Sequence, residues 1–213
     1  MKKIFFLVIV AVISLPAQWE VRGSMGLNYV NMADLKDYLN LNYFIGDMAL
    51  YQFFPAFEAS TEIGYQPTSN LEFGLELAYE LNSFQTSYLS IYRFDYGFMS
   101  PSLLAYYVLQ GAGYKFKFGG GIGPRFISAD EKLPNLTQTE TYSATGIGMV
   151  LKAEGLTALG KNVFASIGFD LRYSSFGKFA SASGKTFINN LTGSELKMNS
   201  LSAGLKIGVA VTF

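Results

Sequence analysis

Apolar and polar residues alternate through most of this chain, and that period of two constrains its fold more than any other feature. In the segment 71–81, six large apolar residues alternate with three glutamates, a glycine and an alanine. Successive side chains of a β-strand point to opposite faces, so this pattern predicts a strand with one apolar and one polar face. Similar alternation recurs in seven further segments: 19–29, 57–65, 101–110, 115–126, 146–154, 163–173 and 201–213. The sequence therefore predicts an all-β chain of eight strands.

The connections between the predicted strands alternate in length. Short, turn-rich connections lie at 66–70, 110–113 and 159–162, and longer ones lie at about 33–52, 82–100, 129–140 and 175–196. Pro101 interrupts the least regular stretch, 84–110, and predicts a bulge or a strand start there. Residues 84–100 would then either extend the strand at 101–110 or fold over it. Each strand is close to the 9–11 residues that cross a hydrocarbon core when tilted. Short turns on the side of both termini, with long loops on the other, are typical of an eight-stranded antiparallel up-and-down transmembrane barrel.

Charge separates the two faces of the predicted strands. The charged residues of the strands lie on the polar face, together with many glycines and other small residues. A base that faced lipid at mid-depth would cost about 2–4 kcal/mol, so in a membrane barrel this face lines the lumen. The predicted lumen charge network consists of Glu58, Glu62, Glu72, Glu76, Glu80, Lys115, Lys117, Arg125, Lys152, Glu154, Asp170, Arg172 and Lys206. Glu20 and Arg22 share this face, as do Arg93 and Asp95 in the less regular stretch.

These charges predict a closed lumen. The interior of an eight-stranded barrel is just wide enough for side chains to fill it. The acidic second and third strands would look across the lumen toward the basic fifth, which predicts a salt-bridged plug in place of an open water channel. A proton relay or a narrow gated path is the alternative, because charges inside a membrane are often functional. A soluble, lipocalin-like ligand-binding barrel is a further alternative, and it would place the apolar face inside.

Aromatic residues recur near the ends of the predicted strands. Membrane barrels carry aromatic girdles at the two lipid–water boundaries. The candidates for such girdles are Trp19, Tyr29, Tyr65, Tyr79, Tyr114, Phe126, Tyr142, Phe164, Tyr173 and Phe213.

The amino-terminal residues have the pattern of an export signal. Two lysines precede an apolar run, Ile4 to Val12, and the small Ala17 follows it. A positive end, a short apolar stretch and a small residue before the cleavage site are typical of a secretory signal peptide. We therefore expect residues 1–17 to be a signal peptide, residues 18–213 to form one barrel domain, and the exported chain to reside in the bacterial outer membrane.

Composition narrows the function classes. The 213 residues include no histidine and no cysteine, which removes most metal sites and every nucleophile–base pair that uses either residue. Sixteen basic residues balance sixteen acidic ones, whereas a nucleic-acid-binding protein would be basic. We expect no catalysis, no cofactor, no metal and no nucleic-acid partner.

The carboxyl end carries the most specific pattern. Leu205, Ile207, Val209 and Val211 alternate up to a terminal Phe213. With this end and the alternating segments 71–81 and 111–123, the chain resembles the small bacterial outer-membrane β-barrels of the OmpA, OmpX and OmpW type. The resemblance implies that these five residues form the signal by which the barrel-assembly machinery recognises the chain for insertion. The charged interior resembles OmpA and OmpX more than members with apolar lumens, and the enzymes among outer-membrane barrels rely on a histidine that this sequence lacks.

The first long loop predicts a short helix. Asp34 is a candidate cap in the segment 32–41, and Leu35, Tyr38 and Leu39 follow at helical spacing. The helix would cap the barrel mouth or rest at the membrane boundary. The alternative is an apolar site between loops for a lipophilic ligand or an extracellular partner.

These observations predict a monomeric protein that contacts outer-membrane lipid and has a structural or surface-interaction role through its long loops. A narrow channel or a conduit for small or lipophilic solutes is the alternative function.

Overall fold

The computed structural model describes residues 18–44, 49–51, 53–86, 91–134, 138–181, 183–189, 191 and 193–213. The expected signal peptide, residues 1–17, lies outside these ranges. The elements are β1 (Gln18–Asn31), α1 (Ala33–Asn42), β2 (Phe54–Thr68), β3 (Leu71–Thr86), β4 (Tyr92–Gly111), β5 (Tyr114–Lys132), β6 (Thr139–Ala158), β7 (Val163–Phe176), β8 (Ala180–Ser181) and β9 (Ser200–Thr212).

Eight of the strands form a closed ring. Consecutive strands from β1 to β7 pair antiparallel, β7 pairs with β9, and β9 pairs with β1. The two-residue β8 adds to β6 outside the ring sequence. Closure satisfies the backbone groups that an open sheet edge would leave unpaired. The predicted all-β, eight-stranded up-and-down barrel is confirmed.

The two ends of the barrel differ. We call the end with the connections at 69–70, 112–113 and 159–162 the turn end, and the opposite end the loop end. The 82–100 and 129–140 segments, which were predicted as long loops, are mostly strand. Strands β3 and β4 reach residues 86 and 92, and β5 and β6 reach residues 132 and 139. The alternative that the stretch 84–100 extends the strand at 101–110 is right for residues 92–100, which belong to β4.

A reversal of polarity explains those two wrong loops. From Tyr92 to Phe98 the aromatic residues point inward while Arg93 and Asp95 point outward. From Met99 to Leu109 the outward positions are apolar, and the inward positions hold two serines together with the buried Leu104, Tyr106 and Val108. The strand does not break at this point, since its pairing with β3 runs without a shift from Tyr92 to Tyr107. The alternation therefore changes sign while the backbone stays extended.

Pro101 lies within β4 without a bulge. The pairs Met99–Phe126 and Leu103–Ile122 keep one register on either side of it. The expected bulge or strand start at Pro101 is wrong, and the shift in register lies in β2, between Tyr65 and Thr68.

The apolar face of the barrel points outward. Leu75 and Ile207 are 53% and 65% exposed, whereas the neighbouring Glu76 and Lys206 are 0% and 5% exposed. Leu71 to Leu81 spans roughly 33 Å along the strand and, at the usual tilt, about 25 Å along the barrel axis, which is the height of the apolar band on membrane barrels. The soluble alternative required the apolar face inside, so this arrangement excludes it. The described residues include no helix that is long and apolar enough to cross a membrane.

Most of the candidate girdle residues point outward, but two do not. Trp19 and Tyr65 contact each other at the turn end, with ring centroids 5.0 Å apart. Tyr142 is buried and points inward, and Phe164 is half-buried beneath the ammonium of Lys115. Their positions one residue out of register with the outward face remove them from the girdles.

The predicted helix is present as α1. Leu35, Tyr38 and Leu39 are its buried residues. The expected cap is wrong, because the Asp34 side chain makes no capping bond and instead accepts a hydrogen bond from the backbone N–H of Lys197 (3.2 Å).

Candidate functional site

Charged side chains fill much of the barrel interior. All thirteen residues of the predicted lumen charge network are buried and point inward, and Glu20 and Arg22 join them. Arg93 and Asp95 do not, because they lie on the outward face beyond the polarity reversal and form an exposed pair (2.6 Å). We use the name ion-pair network for the buried charges that form salt bridges: Glu20, Arg22, Glu58, Glu62, Glu72, Glu76, Lys115, Lys117, Lys152, Glu154, Asp170, Arg172 and Lys206.

At the turn end, two lysines from β5 neutralise two glutamates. The Lys117 ammonium lies 2.6 Å from Glu20 and 2.7 Å from Glu72, and it is completely buried. Lys115 lies 3.7 Å from the other oxygen of Glu20. This group joins β1, β3 and β5 across the barrel interior.

Farther along the axis, Glu76 joins two groups of charges. It accepts hydrogen bonds from the Lys152 ammonium (2.7 Å) and from the Arg172 guanidinium (3.0 Å). Lys152 also contacts Glu62 (3.0 Å) and Glu154 (3.1 Å). The network therefore crosses the full width of the lumen at this level.

Two further cations complete the network. Arg22 pairs with Glu62 at 2.5 Å and also contacts Glu154. Lys206 contacts both Glu58 and Asp170. These contacts bring together residues that lie 36 to 148 positions apart in the sequence.

The expected pairing of the acidic strands with β5 is right for Glu72 and wrong for Glu58, Glu62 and Glu76. Their cations come from β1, β6, β7 and β9. The middle of β5 has no cation to offer, because its inward residues there are glycines. A Cβ at Gly121 or Gly123 would lie 2.1 or 2.0 Å from a carbonyl oxygen of β4, so close strand approach excludes any larger residue.

Two members of the predicted lumen charge network have no ion partner among the described residues. Glu80 accepts hydrogen bonds only from Asn28 (2.7 Å) and Tyr96 (3.2 Å). Arg125 donates from Nη1 to the carbonyl oxygens of Pro101 (2.8 Å) and Pro124 (2.9 Å), while its Nε and Nη2 find no described partner. Arg125 thus donates to the carbonyl oxygens of two prolines, which have no backbone N–H of their own to donate.

Buried apolar side chains occupy the barrel interior at the loop end, and the alternation of the strands did not predict them. We call this cluster the loop-end core; it is formed by α1, the chain after β7 and the inward residues of the reversed strand segments. Its buried members include Val30, Leu35, Tyr38, Leu39, Phe54, Phe84, Tyr92, Phe94, Phe98, Ile127, Tyr142, Phe176, Phe179, Phe187, Leu196 and Met198. The interior therefore changes from mainly charged within the apolar band to apolar at the loop end. The inverted alternation at 92–98 was the signal that could have revealed this core.

One carboxyl group lies within the loop-end core. Oε1 of Glu131 accepts hydrogen bonds from the hydroxyls of Tyr38 (2.5 Å) and Tyr92 (3.0 Å). Burial raises the pKa of Glu131, and the same loss of water together with the adjacent carboxylate raises the pKa of Tyr38 and of Tyr92. No group of three or more acidic side chains in the described ranges has the arrangement of a metal site.

The residues of the predicted insertion signal lie on the outward face of β9 and just after it. Leu205, Ile207, Val209 and Phe213 are all exposed, and Val211 is half-buried. The Phe213 N–H donates to the carbonyl oxygen of Trp19 (2.9 Å), which ties the end of the chain to β1. Their role in recognition stays a prediction.

Comparison with solved structures identifies the fold. Neisserial surface protein A is similar in structure, with a TM-score of 0.54 and 16% sequence identity. The alignment covers 92% of this chain and 97% of that one. Ail, the attachment invasion locus protein of Yersinia pestis, is 12% identical (93% and 100% covered, TM-score 0.53), and a major outer membrane protein from Thermus thermophilus is 14% identical (92% and 99%, TM-score 0.57). The chain has the fold of the small outer-membrane β-barrels. No protein-family model and no curated protein sequence matches it.

Proposed function

We propose that this chain is an integral outer-membrane β-barrel with a closed lumen, and that it acts through its loop end without catalysis. The observation that carries the proposal is the outward apolar band around a ring whose buried interior holds the charges. A barrel with charged side chains inside and apolar side chains outside is stable in lipid. In water the exposed apolar surface would favour aggregation. The likeness of fold to outer-membrane proteins and the expected signal peptide support the same location.

The partners follow from that location. Outer-membrane lipid surrounds the apolar band, the barrel-assembly machinery recognises the carboxyl end during insertion, and the protein acts as a monomer whose closed ring leaves no edge strand for pairing with another chain. The loop end faces outward from the cell and presents a surface for an extracellular partner or a lipophilic ligand.

Spin labels test the orientation directly. The chain contains no cysteine, so single substitutions give unique labelling sites. Labels at Leu75→Cys and Ile207→Cys should be relaxed by oxygen dissolved in lipid, and a label at the exposed Glu195→Cys should be relaxed by a water-soluble nickel complex. Protection of the first two labels from oxygen would refute the membrane location.

The closed lumen is supported by two successive layers, the ion-pair network and the loop-end core. Planar-bilayer recording of the purified chain should show no steady conductance. A steady conductance that changes in Glu76→Gln or Arg125→Gln would refute the plug and favour the alternative, a narrow channel. The two unpaired charges, Glu80 and Arg125, are the observation that keeps that alternative worth measuring.

A further inference from the structure

A pocket at the loop end combines aromatic rings with two carboxylates. It encloses about 260 Å³ between β5, β6 and the chain after β8. Tyr38, Tyr142 and Phe187 form one wall, because the Phe187 ring stands edge-on to both tyrosines with centroids 4.9 and 4.6 Å away. Glu131 and Glu140 also line the pocket. We call this the acid–aromatic pocket.

The two carboxylates stand directly opposite each other. Glu131 on β5 and Glu140 on β6 are cross-strand partners, and both side chains belong to the inward face. Directly opposed residues have Cβ atoms about 4.5–5.5 Å apart, and like charges in such pairs are destabilising. A cation between or above the pair would remove that repulsion.

The cations present do not neutralise both groups. Lys185 lies 3.0 Å from Glu140, and both side chains are largely exposed. Glu131 is only 4% exposed and has no ion partner among the described residues. Its hydrogen bonds reach Oε1 alone, and no described residue donates to Oε2. One buried carboxylate therefore lines the pocket without a counter-ion.

The chemistry of the lining selects the ligand. Aromatic faces attract a cation through their quadrupole, and a carboxylate completes its neutralisation by a charge-assisted hydrogen bond. The volume lies just below that of pockets for drug-sized ligands, so it suits a short chain with one charged head. An inorganic divalent cation would need several oxygen ligands and would gain little from three rings.

We propose that the acid–aromatic pocket binds a small organic cation, an ammonium or guanidinium group on a short apolar stem, with Glu131 as its counter-ion. The group is supplied by a free amine or by a basic side chain of another protein. The inference goes beyond the proposed function, since it concerns the loops and holds whether or not the lumen conducts.

Binding should strengthen as the pH rises. Burial raises the pKa of Glu131, while the pKa of Glu140 is held low by Tyr142 and Lys185. The hydroxyls of Tyr38 and Tyr92 also face Glu131, and their raised pKa values keep them neutral donors throughout this range. Ionisation of Glu131 is thus the step that creates the negative site.

The test is a titration of the whole chain in zwitterionic micelles. Binding is monitored through the NMR chemical shifts of the backbone amides of Phe187 and Glu131. Butylammonium chloride should give saturable shifts with millimolar or tighter affinity, and 1-butanol of similar shape should not. Glu131→Gln should weaken butylammonium about tenfold or more, equivalent to ~1.4 kcal/mol. Asp130→Asn is the matched control, because it removes the neighbouring charge on the outward face and should change the affinity less than twofold.

A variant that alters no buried group guards against misfolding. Lys185→Gln removes the resident competitor from Glu140 and should tighten butylammonium binding. Nα-acetyl-lysine methylamide represents a basic side chain, and cadaverine represents a free amine. The compound that binds more tightly identifies the source of the cation. The proposal is overturned if butylammonium gives no saturable shift, if 1-butanol binds equally, if Glu131→Gln and Asp130→Asn behave alike, or if only calcium saturates the pocket.

Discussion

Two kinds of buried side chain occupy the barrel interior, and single strands contribute to both. The ion-pair network lies inside the apolar band, while the loop-end core lies above that band. Strand β4 supplies Tyr106 to the first region and Phe94 to the second, and both are buried. The surroundings of the outer face explain why the two interiors differ. Lipid contacts the outward apolar residues within the apolar band, whereas water solvates the outward polar residues above it.

The two regions obey opposite rules of stabilisation. A buried ion pair gains little net free energy but makes the loss of either partner costly, because the remaining charge has no solvent. An apolar core gains from area removed from water and loses in proportion to the volume deleted. Four substitutions separate these rules, and they are given from the largest expected effect to the smallest.

Glu76→Gln tests the ion-pair network at its most connected residue. The change leaves Lys152 and Arg172 without a shared carboxylate, so the free energy of unfolding should fall by about 3–5 kcal/mol. Denaturant titration of the refolded barrel measures it, with the exposed Glu195→Gln as the control that should change little. A loss below ~1 kcal/mol would show that the network tolerates an unpaired cation and that water reaches this depth.

Leu39→Ala tests the loop-end core. Leu39 is completely buried on α1, and removing its side chain should cost about 2–5 kcal/mol. Leu41→Ala lies on the same helix at 51% exposure and should cost little. Equal effects of the two substitutions would mean that α1 does not pack into the barrel in solution.

Glu131→Gln tests the one acid of the loop-end core, and its effect should be smaller than either of these. Burial raises the pKa of Glu131, so the folded chain holds this proton more tightly than the unfolded chain does. Its contribution to stability is therefore present at low pH and lost as the pH rises from the unfolded value through the folded one. Thermal melts between pH 4 and pH 8 should show a shallower fall with pH in the variant. Parallel curves would contradict this.

Arg93→Ala should have the smallest effect. Its guanidinium pairs with Asp95 on the outward face above the apolar band, where both side chains meet solvent. Exposed pairs contribute roughly 0–1 kcal/mol. A larger loss, measured by the same denaturant titration, would place this pair inside the membrane and move the boundary between the two regions toward the loop end.

The sequence predicts the part of the fold that obeys one rule. Alternation fixed the ring, the outward face and the burial of all thirteen predicted charges, because lipid on one side and a narrow lumen on the other sort residues strictly. The same rule failed at 82–100, where the surroundings change from lipid to water while the backbone stays extended. If the apolar residues of every segment are assumed to face outward, a segment in which they face inward is misinterpreted as irregular.

The pairing of the charges could not be predicted. Which cation reaches Glu76 depends on the stagger of the strands around the ring and on the length of each side chain. The acid–aromatic pocket was equally out of reach, since Tyr38, Glu131 and Phe187 come from a helix, a strand and a loop. Their proximity follows from how the last loop folds back, which no local pattern encodes.

The unequal lengths of the strands make the rim lopsided. Strands β4, β5 and β6 have 20, 19 and 20 residues, whereas β7, β9 and β1 have 14, 13 and 14. At about 3.3 Å per residue, one flank of the mouth stands on the order of 10 Å above the other. The sheet wall is therefore tallest at β4, β5 and β6, and on the shorter flank α1 and the chain after β7 supply the side chains that cover the barrel mouth.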